Sequence, residues 1–198
     1  MSRKNPPHGV AARHAALAFA STVAFVCSSA VATPAKPFSL SSPTVLPGAT
    51  LARAQVFNGF GCTGDDISPA LTWAHPPAAT QSFALTMYDP DAPTGSGWWH
   101  WVVYNIPKHV NSLAAGAGNP DGKKLPPSVA QGRNDYGAYG FGGACPPAGD
   151  KAHRYIFTIY ALDVDHLELA PDASAAMLGF MIQKHKLGSA TLQAKYQR

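Results

Sequence analysis

The 198-residue sequence predicts a mostly β domain, and three observations support this fold class. Hydrophobic residues make up 46% of the chain and charged residues only 13%, which is typical of a globular protein rather than a disordered or coiled-coil one. The 18 Gly and 18 Pro favour short strands joined by tight turns. Residues 82–88 (SFALTMY) alternate Phe83, Leu85 and Met87 with smaller or more polar side chains, which is the period-two pattern of a strand.

The N-terminal segment has the layout of a signal peptide. An apolar run covers residues 15–32. It is preceded by three basic residues, Arg3, Lys4 and Arg13, and by no acidic residue. The run ends in the small-x-small motif Ala30-Val31-Ala32, which predicts cleavage before Thr33 and delivery to the periplasm or secretion. The alternative is a membrane anchor, which needs about 20 mostly apolar residues, and hydroxyl side chains interrupt this run.

Residues 33–198 are expected to form one domain, with 33–37 loose because of their proline content. Without the leader, 12 of the 15 Lys and Arg residues remain against 11 Asp and Glu, so the mature protein is almost neutral. The basic residues are scattered, whereas a nucleic-acid-binding protein needs a basic patch. We therefore expect no nucleic-acid partner, and no later apolar stretch is long enough to cross a bilayer.

Two cysteines, Cys62 and Cys145, remain after the predicted cleavage. In an oxidising compartment a disulfide is the ordinary expectation for such residues. The alternative is a catalytic thiolate at Cys145 with His153 as its base.

Further along the chain, the first strand is expected near Phe38–Leu40, and residues 101–106 and 155–162 are β-branched and aromatic runs typical of central strands. Residues 114–149 are rich in Gly and Pro and have no periodicity, so this segment is expected to be functional or flexible.

The C-terminal part predicts two short helices, over residues 173–185 and 189–196, that cover an edge or face of the sheet. Apolar residues recur at spacings of three and four in the first of them, and Gly188 separates the two. Asp172 or Ser174 is expected to cap the first helix, whose last turn carries basic residues.

Polar side chains are concentrated at the predicted strand ends. Asp89 and Asp91 lie in the stiff turn DPDAP that follows the strand at 82–88, although an ordinary Asx-type turn would explain them equally well. Trp98 and His100 enter the next strand on one face, where a lone histidine is more often a packed, hydrogen-bonded group than a ligand.

A third polar cluster precedes the strand at 155. Pro146 and Pro147 stiffen the loop, and His153 and Tyr155, two residues apart, point to the same side of their strand. If the three strands are neighbours, the acids, imidazoles and phenol of the three clusters converge at one end of the sheet. Such a group offers N–H and O–H donors to an anion, while a carboxylate and an indole could hold an ammonium group.

Three segments, residues 60–73, YDPDAPTGSGWWHWVVYNIP (88–107) and GGACPPAGDKAHRYIFTIYALD (142–163), strongly resemble the phosphatidylethanolamine-binding protein family, and most closely its bacterial YbhB/YbcL, Raf-kinase-inhibitor-like branch. The resemblance covers roughly residues 38–198. It implies a central antiparallel sheet packed with a second, smaller antiparallel sheet, and a small pocket for phosphate-like anions. The ligand-binding set that we predict is Asp89, Asp91, Trp98, His100, Cys145, Pro146, Pro147, His153 and Tyr155.

The sequence also departs from the family pattern at two positions. Cys145 stands where many relatives have Gly before the Pro-Pro pair, and Trp99 stands where eukaryotic relatives carry a second His.

The expected function is binding of a phosphate or a phospholipid headgroup, without catalysis and without a cofactor or metal, in a kinase- or protease-inhibitor-like regulator with an unidentified protein partner. Protonation of His100 or His153 would add a donor and a charge, so phosphate affinity is expected to rise from about pH 7.5 to 5.5. One alternative is a metal-dependent hydrolase using Asp89, Asp91, His100 and His153. Another is a secreted peptidase inhibitor that makes contact through residues 114–149.

Overall fold

The structure is a computed structural model that describes residues 1–2 and 35–198. All but the first two residues of the predicted signal peptide, and its cleavage position, lie outside the described residues. None of the helices in the described part of the chain is long and apolar enough to cross a membrane.

Within residues 35–198 the chain forms ten strands, one 3₁₀ turn (Arg53–Gln55) and one α-helix. In chain order the elements are β1 (Ser39–Ser41), β2 (Asn58–Gly59), β3 (Cys62–Thr63), β4 (Leu71–Ala74), β5 (Ser82–Asp89), β6 (Trp98–Pro107), β7 (Ser112–Leu113), β8 (Ala130–Gln131), β9 (His153–Leu162), α1 (Ala175–His185) and β10 (Lys186–Tyr196).

The large sheet has five strands in the order β10-β9-β5-β6-β8, and every neighbouring pair is antiparallel. The three strands that the sequence marked as long or central, β5, β6 and β9, lie side by side, with β5 in the middle. Both faces of β5 are buried. This explains why the residues that alternate with Phe83, Leu85 and Met87 are small or carry a hydroxyl group and are not charged.

A smaller antiparallel sheet, in the order β1-β4-β7, packs against one face of the large sheet. Trp73 of β4 meets Phe83 of β5 edge to face, with ring centroids 5.5 Å apart. Leu40 and Leu113 from the outer strands of the small sheet join the same core. The predicted mostly β fold, with two packed antiparallel sheets, is therefore confirmed.

The opposite face of the large sheet is covered by α1, which buries Leu178 and Ile182 against Val102 and Leu162. Ser174 caps this helix, since its hydroxyl accepts a hydrogen bond from the backbone N–H of Met177 at 3.1 Å. The first predicted C-terminal helix is confirmed in this form.

The second predicted helix, over residues 189–196, is wrong, because these residues belong to β10. Ala190, Leu192 and Ala194 are buried while their neighbours are not, which is a period of two rather than 3.6. Pairing along β9, from Gly188 opposite Ala161 to Tyr196 opposite His153, satisfies the backbone groups of this segment. The sequence predicts a break between two helices at Gly188. Pairing with β9 instead makes the residues after it a strand.

A disulfide joins Cys62 of β3 to Cys145, 83 residues apart in the sequence. It ties the β2–β3 hairpin to the loop that precedes β9. The expected pairing is therefore present, and the alternative of a thiolate at Cys145 does not agree with a bonded sulfur.

We predict that reduction of this disulfide, or the double change Cys62→Ser and Cys145→Ser, lowers the free energy of unfolding by about 3–4 kcal/mol. The unfolded chain gains the freedom of a loop of roughly this length when the link is lost. Urea denaturation of the mature protein with and without reductant measures the difference. Free thiols from both cysteines in denatured, unreduced protein would contradict the pairing.

Candidate functional site

The site lies where three strand ends meet. Because β5 runs antiparallel to both β6 and β9, the end of β5 lies beside the starts of the other two strands, with Asp89 opposite Trp98 and Tyr88 opposite Ile156. The register therefore brings together side chains that are far apart in the sequence. Five side chains were predicted to converge here, and four of them line a common pocket: Asp89, His100, His153 and Tyr155.

These side chains line a cavity of about 320 Å³, which is within the range of small-molecule sites. Its walls are formed by Phe60, Asp89, Ala92, Pro93, Thr94, Trp98, His100, Tyr136, Cys145, Pro146, Pro147, His153, Tyr155 and Arg198. Eight of the nine residues in the predicted ligand-binding set belong to this lining.

Asp91 is the exception, because it does not line the cavity. Its carboxylate accepts hydrogen bonds from Arg154, at 2.7 and 2.9 Å from the guanidinium and 2.8 Å from the backbone N–H. This ion pair lowers the pKa of Asp91 to about 2. Asp91 thus fixes the start of β9 against the turn after β5, which makes it a support for the site rather than part of its surface.

Asp89 and His153 form a buried pair in the cavity wall. His153 Nδ1 lies 2.8 Å from Asp89 Oδ2, and the two side chains are only 5% and 3% exposed. The other oxygen of Asp89 accepts the backbone N–H of Asp91 at 2.8 Å. These contacts require Nδ1 of His153 to carry a hydrogen, and they hold its ring in one orientation.

His100 is held from behind by the backbone of the loop before β9. Its Nδ1 lies 2.8 Å from the carbonyl oxygen of Gly142 and 3.1 Å from that of Gly143. Burial lowers the pKa of His100 to about 4, so the ring is neutral at physiological pH. Protonation of His100 therefore cannot strengthen phosphate binding between pH 7.5 and 5.5.

Gly143 permits this arrangement because a β-carbon there would lie 2.5–2.6 Å from backbone atoms of residues 55–57. Its carbonyl oxygen also accepts the hydroxyl of Tyr136 at 3.0 Å, and its N–H donates to Asp66 at 2.6 Å. Tyr136 in turn stacks on Phe57, with ring centroids 3.9 Å apart. A glycine is therefore needed where the backbone supports two side chains of the cavity.

Two buried donors in the cavity lining, Tyr155 Oη and Trp98 Nε1, have no hydrogen-bond partner among the described residues. Burial raises the pKa of Tyr155 far above its ordinary value, so its hydroxyl keeps its hydrogen. Buried polar groups in native proteins are nearly always paired, and exceptions indicate a ligand, water or functional role.

The rim of the cavity combines apolar surface with one guanidinium group. Phe60, at the tip of the β2–β3 hairpin, is 72% exposed, and the disulfide fixes this hairpin beside Pro146. Arg198 donates to the carbonyl oxygen of Pro146 at 2.5 Å and to that of Phe60 at 3.4 Å. Arg198 thus links the hairpin to the loop that precedes β9.

Six of the residues that line the cavity are not in the predicted ligand-binding set. Phe60 and Pro93 fall inside segments that resemble the family and were within reach of a residue-by-residue comparison, as were Ala92 and Thr94. Tyr136 lies in the aperiodic segment and Arg198 at the last position, and neither carries a local sequence signal.

The described residues contain no group of three or more His, Cys, Asp or Glu side chains placed to hold a metal ion. Asp91 is engaged by Arg154, and His100 Nδ1 by two carbonyl groups, so the four residues of the metal-site alternative do not form a common ligand set. A metal-dependent hydrolase is not favoured.

The fold and site define a small β protein with two packed antiparallel sheets and a pocket at the ends of its central strands. The family model for phosphatidylethanolamine-binding protein matches residues 41–197. The chain belongs to the phosphatidylethanolamine-binding protein family, as its motifs suggested.

Its relatives include YbcL of Escherichia coli, which is 46% identical over 181 residues, or 91% of this chain and 97% of that protein. YbhB of the same organism is 48% identical and covers 79% of this chain and 98% of its own length. The crystal structure of E. coli YbcL, described as a new member of the mammalian PEBP family, matches with a TM-score of 0.80 over 81% of this chain and 98% of that one.

We predict that Asp89→Ala lowers the free energy of unfolding by about 3 kcal/mol, because it leaves the buried His153 Nδ1–H and Asp91 N–H without their acceptor. Asp89→Asn keeps an acceptor oxygen and is expected to cost clearly less. Urea denaturation at pH 7 measures both values. A loss below about 1 kcal/mol for Asp89→Ala would argue against a structural pair.

A second prediction concerns His100 and pH. Its folded-state pKa of about 4 lies below the reference value near 6.5, so the unfolded chain takes up a proton that the native protein does not. The free energy of unfolding should therefore fall by up to about 3 kcal/mol between pH 6.5 and 4 through this residue.

Urea denaturation of wild type and His100→Gln across this range tests the prediction. The variant should lose this part of the pH dependence, whereas His109→Gln, at an exposed position, should not. The Asp91–Arg154 pair loses its contribution only below about pH 4 and leaves this window unaffected. Parallel pH profiles for wild type and His100→Gln would contradict the assignment.

Proposed function

We propose that this protein binds phosphate or phospholipid-headgroup anions in the pocket at the ends of β5, β6 and β9. The observation that carries the proposal is the pair of unpartnered buried donors in the lining, Tyr155 Oη and Trp98 Nε1. A ligand with acceptor oxygens would pair both donors and remove the cost of leaving them unbonded. Phosphate groups provide several such oxygens on one small centre.

The dimensions and walls of the pocket support a small charged group rather than a large flat one. Pro146 and the buried Asp89–His153 pair both line the cavity, and its volume suits a phosphate with a short substituent. Burial keeps water away from the donors, which strengthens each hydrogen bond to an anion. The guanidinium of Arg198 adds a positive charge at the rim.

The apolar rim supports a ligand with a hydrocarbon or glycerol part outside the pocket. The exposed ring of Phe60 and the exposed Pro93 and Pro147 lie around the opening. A phospholipid headgroup whose phosphate enters the pocket would place its less polar part against these residues.

We further propose that the protein acts in the periplasm or outside the cell after removal of residues 1–32. The Cys62–Cys145 disulfide supports an oxidising compartment. A kinase- or protease-inhibitor-like role through a protein partner stays a prediction from family resemblance. We propose binding without catalysis, and no cofactor enters the proposal.

We predict that Tyr155→Phe weakens binding of inorganic phosphate about tenfold, because it removes one buried donor and little volume. Isothermal titration calorimetry of the mature protein measures the affinity. Tyr160→Phe is the matched control, since Tyr160 lies on the same strand but packs against the α1 side of the sheet and does not line the cavity. Wild-type protein that shows no heat or spectral change with millimolar phosphate would refute the proposed function.

A further inference from the structure

The surroundings of His100 determine where its hydrogen lies. Nδ1 is placed between the carbonyl oxygens of Gly142 and Gly143, at 2.8 and 3.1 Å. Carbonyl oxygens only accept hydrogen bonds, so Nδ1 must donate and must carry a hydrogen. The second ring nitrogen, Nε2, has no partner among the described residues.

The ring as a whole is neutral, so Nε2 is an acceptor. His100 is 2% exposed, and the rings of Tyr136 and Tyr155 pack against it edge to face, with centroids 5.6 and 5.2 Å away. The charged or titratable groups that act on it are the Asp89 carboxylate and the His153 imidazole, and desolvation outweighs the attraction of Asp89. A neutral imidazole with its hydrogen on Nδ1 presents a lone pair at Nε2.

The pocket therefore offers acceptors as well as donors. Tyr155 Oη and Trp98 Nε1 donate, whereas His100 Nε2 and the remaining lone pairs of the Asp89 carboxylate accept. A ligand whose oxygens are all acceptors pairs only with the donors of the pocket. Its other oxygens then face the acceptors of the pocket, lone pair against lone pair. A ligand that carries a hydrogen on one oxygen satisfies both.

We infer that the pocket selects phosphate groups that retain a P–OH hydrogen, as in inorganic phosphate or a phosphomonoester, over sulfate and phosphodiesters, with His100 Nε2 accepting that hydrogen. This inference rests on the proposed function. The inference also restricts the proposed function to one class of headgroup. The phosphate of a phosphomonoester headgroup keeps a P–OH hydrogen when singly ionised, whereas the phosphate of a diester headgroup does not.

The test compares two pairs of probes that differ in this hydrogen. Calorimetric titrations at pH 6, where about half of a phosphomonoester is singly ionised, use inorganic phosphate against sulfate and methyl phosphate against dimethyl phosphate. We expect the hydrogen-bearing member of each pair to bind at least about tenfold more tightly, because the other leaves a buried acceptor unpaired.

Two variants separate the acceptor from the donors. Tyr155→Phe should weaken binding of the probes with and without a P–OH hydrogen by the same factor. The ratio of the two affinities in each pair should therefore stay unchanged. His100→Gln, whose amide can turn an N–H towards the ligand, should reduce both ratios towards one.

Nitrogen-15 NMR of the wild-type imidazoles provides a readout that does not depend on the folding of a variant. At pH 6 to 7 we expect His100 to have a hydrogen on Nδ1 and none on Nε2. A hydrogen on Nε2 of the free protein would overturn the inference.

The possible outcomes distinguish this inference from the proposed function. Ratios near one, or tighter binding of sulfate or dimethyl phosphate, with clear binding of phosphate overturn the selectivity and leave the proposed function standing. Absence of binding by all four probes overturns both.

Discussion

The antiparallel register of β9, β5 and β6 is the constraint on which the site depends. Because β5 lies between the other two and runs opposite to both, the end of one strand and the starts of two others share an edge of the sheet. A shift of one residue would turn His153 and Tyr155 to the opposite face, since side chains alternate along a strand. The packed core under β5, with Phe83, Leu85 and Met87 fully buried, fixes the register and so fixes the pocket.

The sequence contains enough to predict the strands and most of the lining, but not how the lining is supported. A period-two pattern predicted β5, and β-branched and aromatic runs predicted β6 and β9. Polar residues at the strand ends predicted the side chains that converge there. The support comes from long-range backbone contacts, such as His100 with Gly142 and Gly143, that no local pattern encodes. The second C-terminal helix failed for the same reason, because pairing with β9 sets the conformation of residues 186–196.

The turn DPDAP illustrates how two similar residues acquire different roles from their surroundings. Both acids follow β5, yet Asp89 is buried against His153 while Asp91 lies at the surface against Arg154. Together they bind the start of β9 at two consecutive positions, which explains why the turn needs both carboxylates. The distinction between lining and support depends on burial, which sequence spacing alone does not reveal.

The electrostatic character of the pocket depends on the burial and hydrogen bonding of its side chains, and not only on which residues line it. A count of two histidines and an arginine describes a basic site, but one imidazole is kept neutral by burial and the other is paired with a buried carboxylate. The polar surface left to a ligand is a mixture of donors and acceptors, and the guanidinium of Arg198 lies at the rim. Such a surface recognises the position of hydrogens on a ligand, and net charge alone would not distinguish one oxyanion from another of similar size.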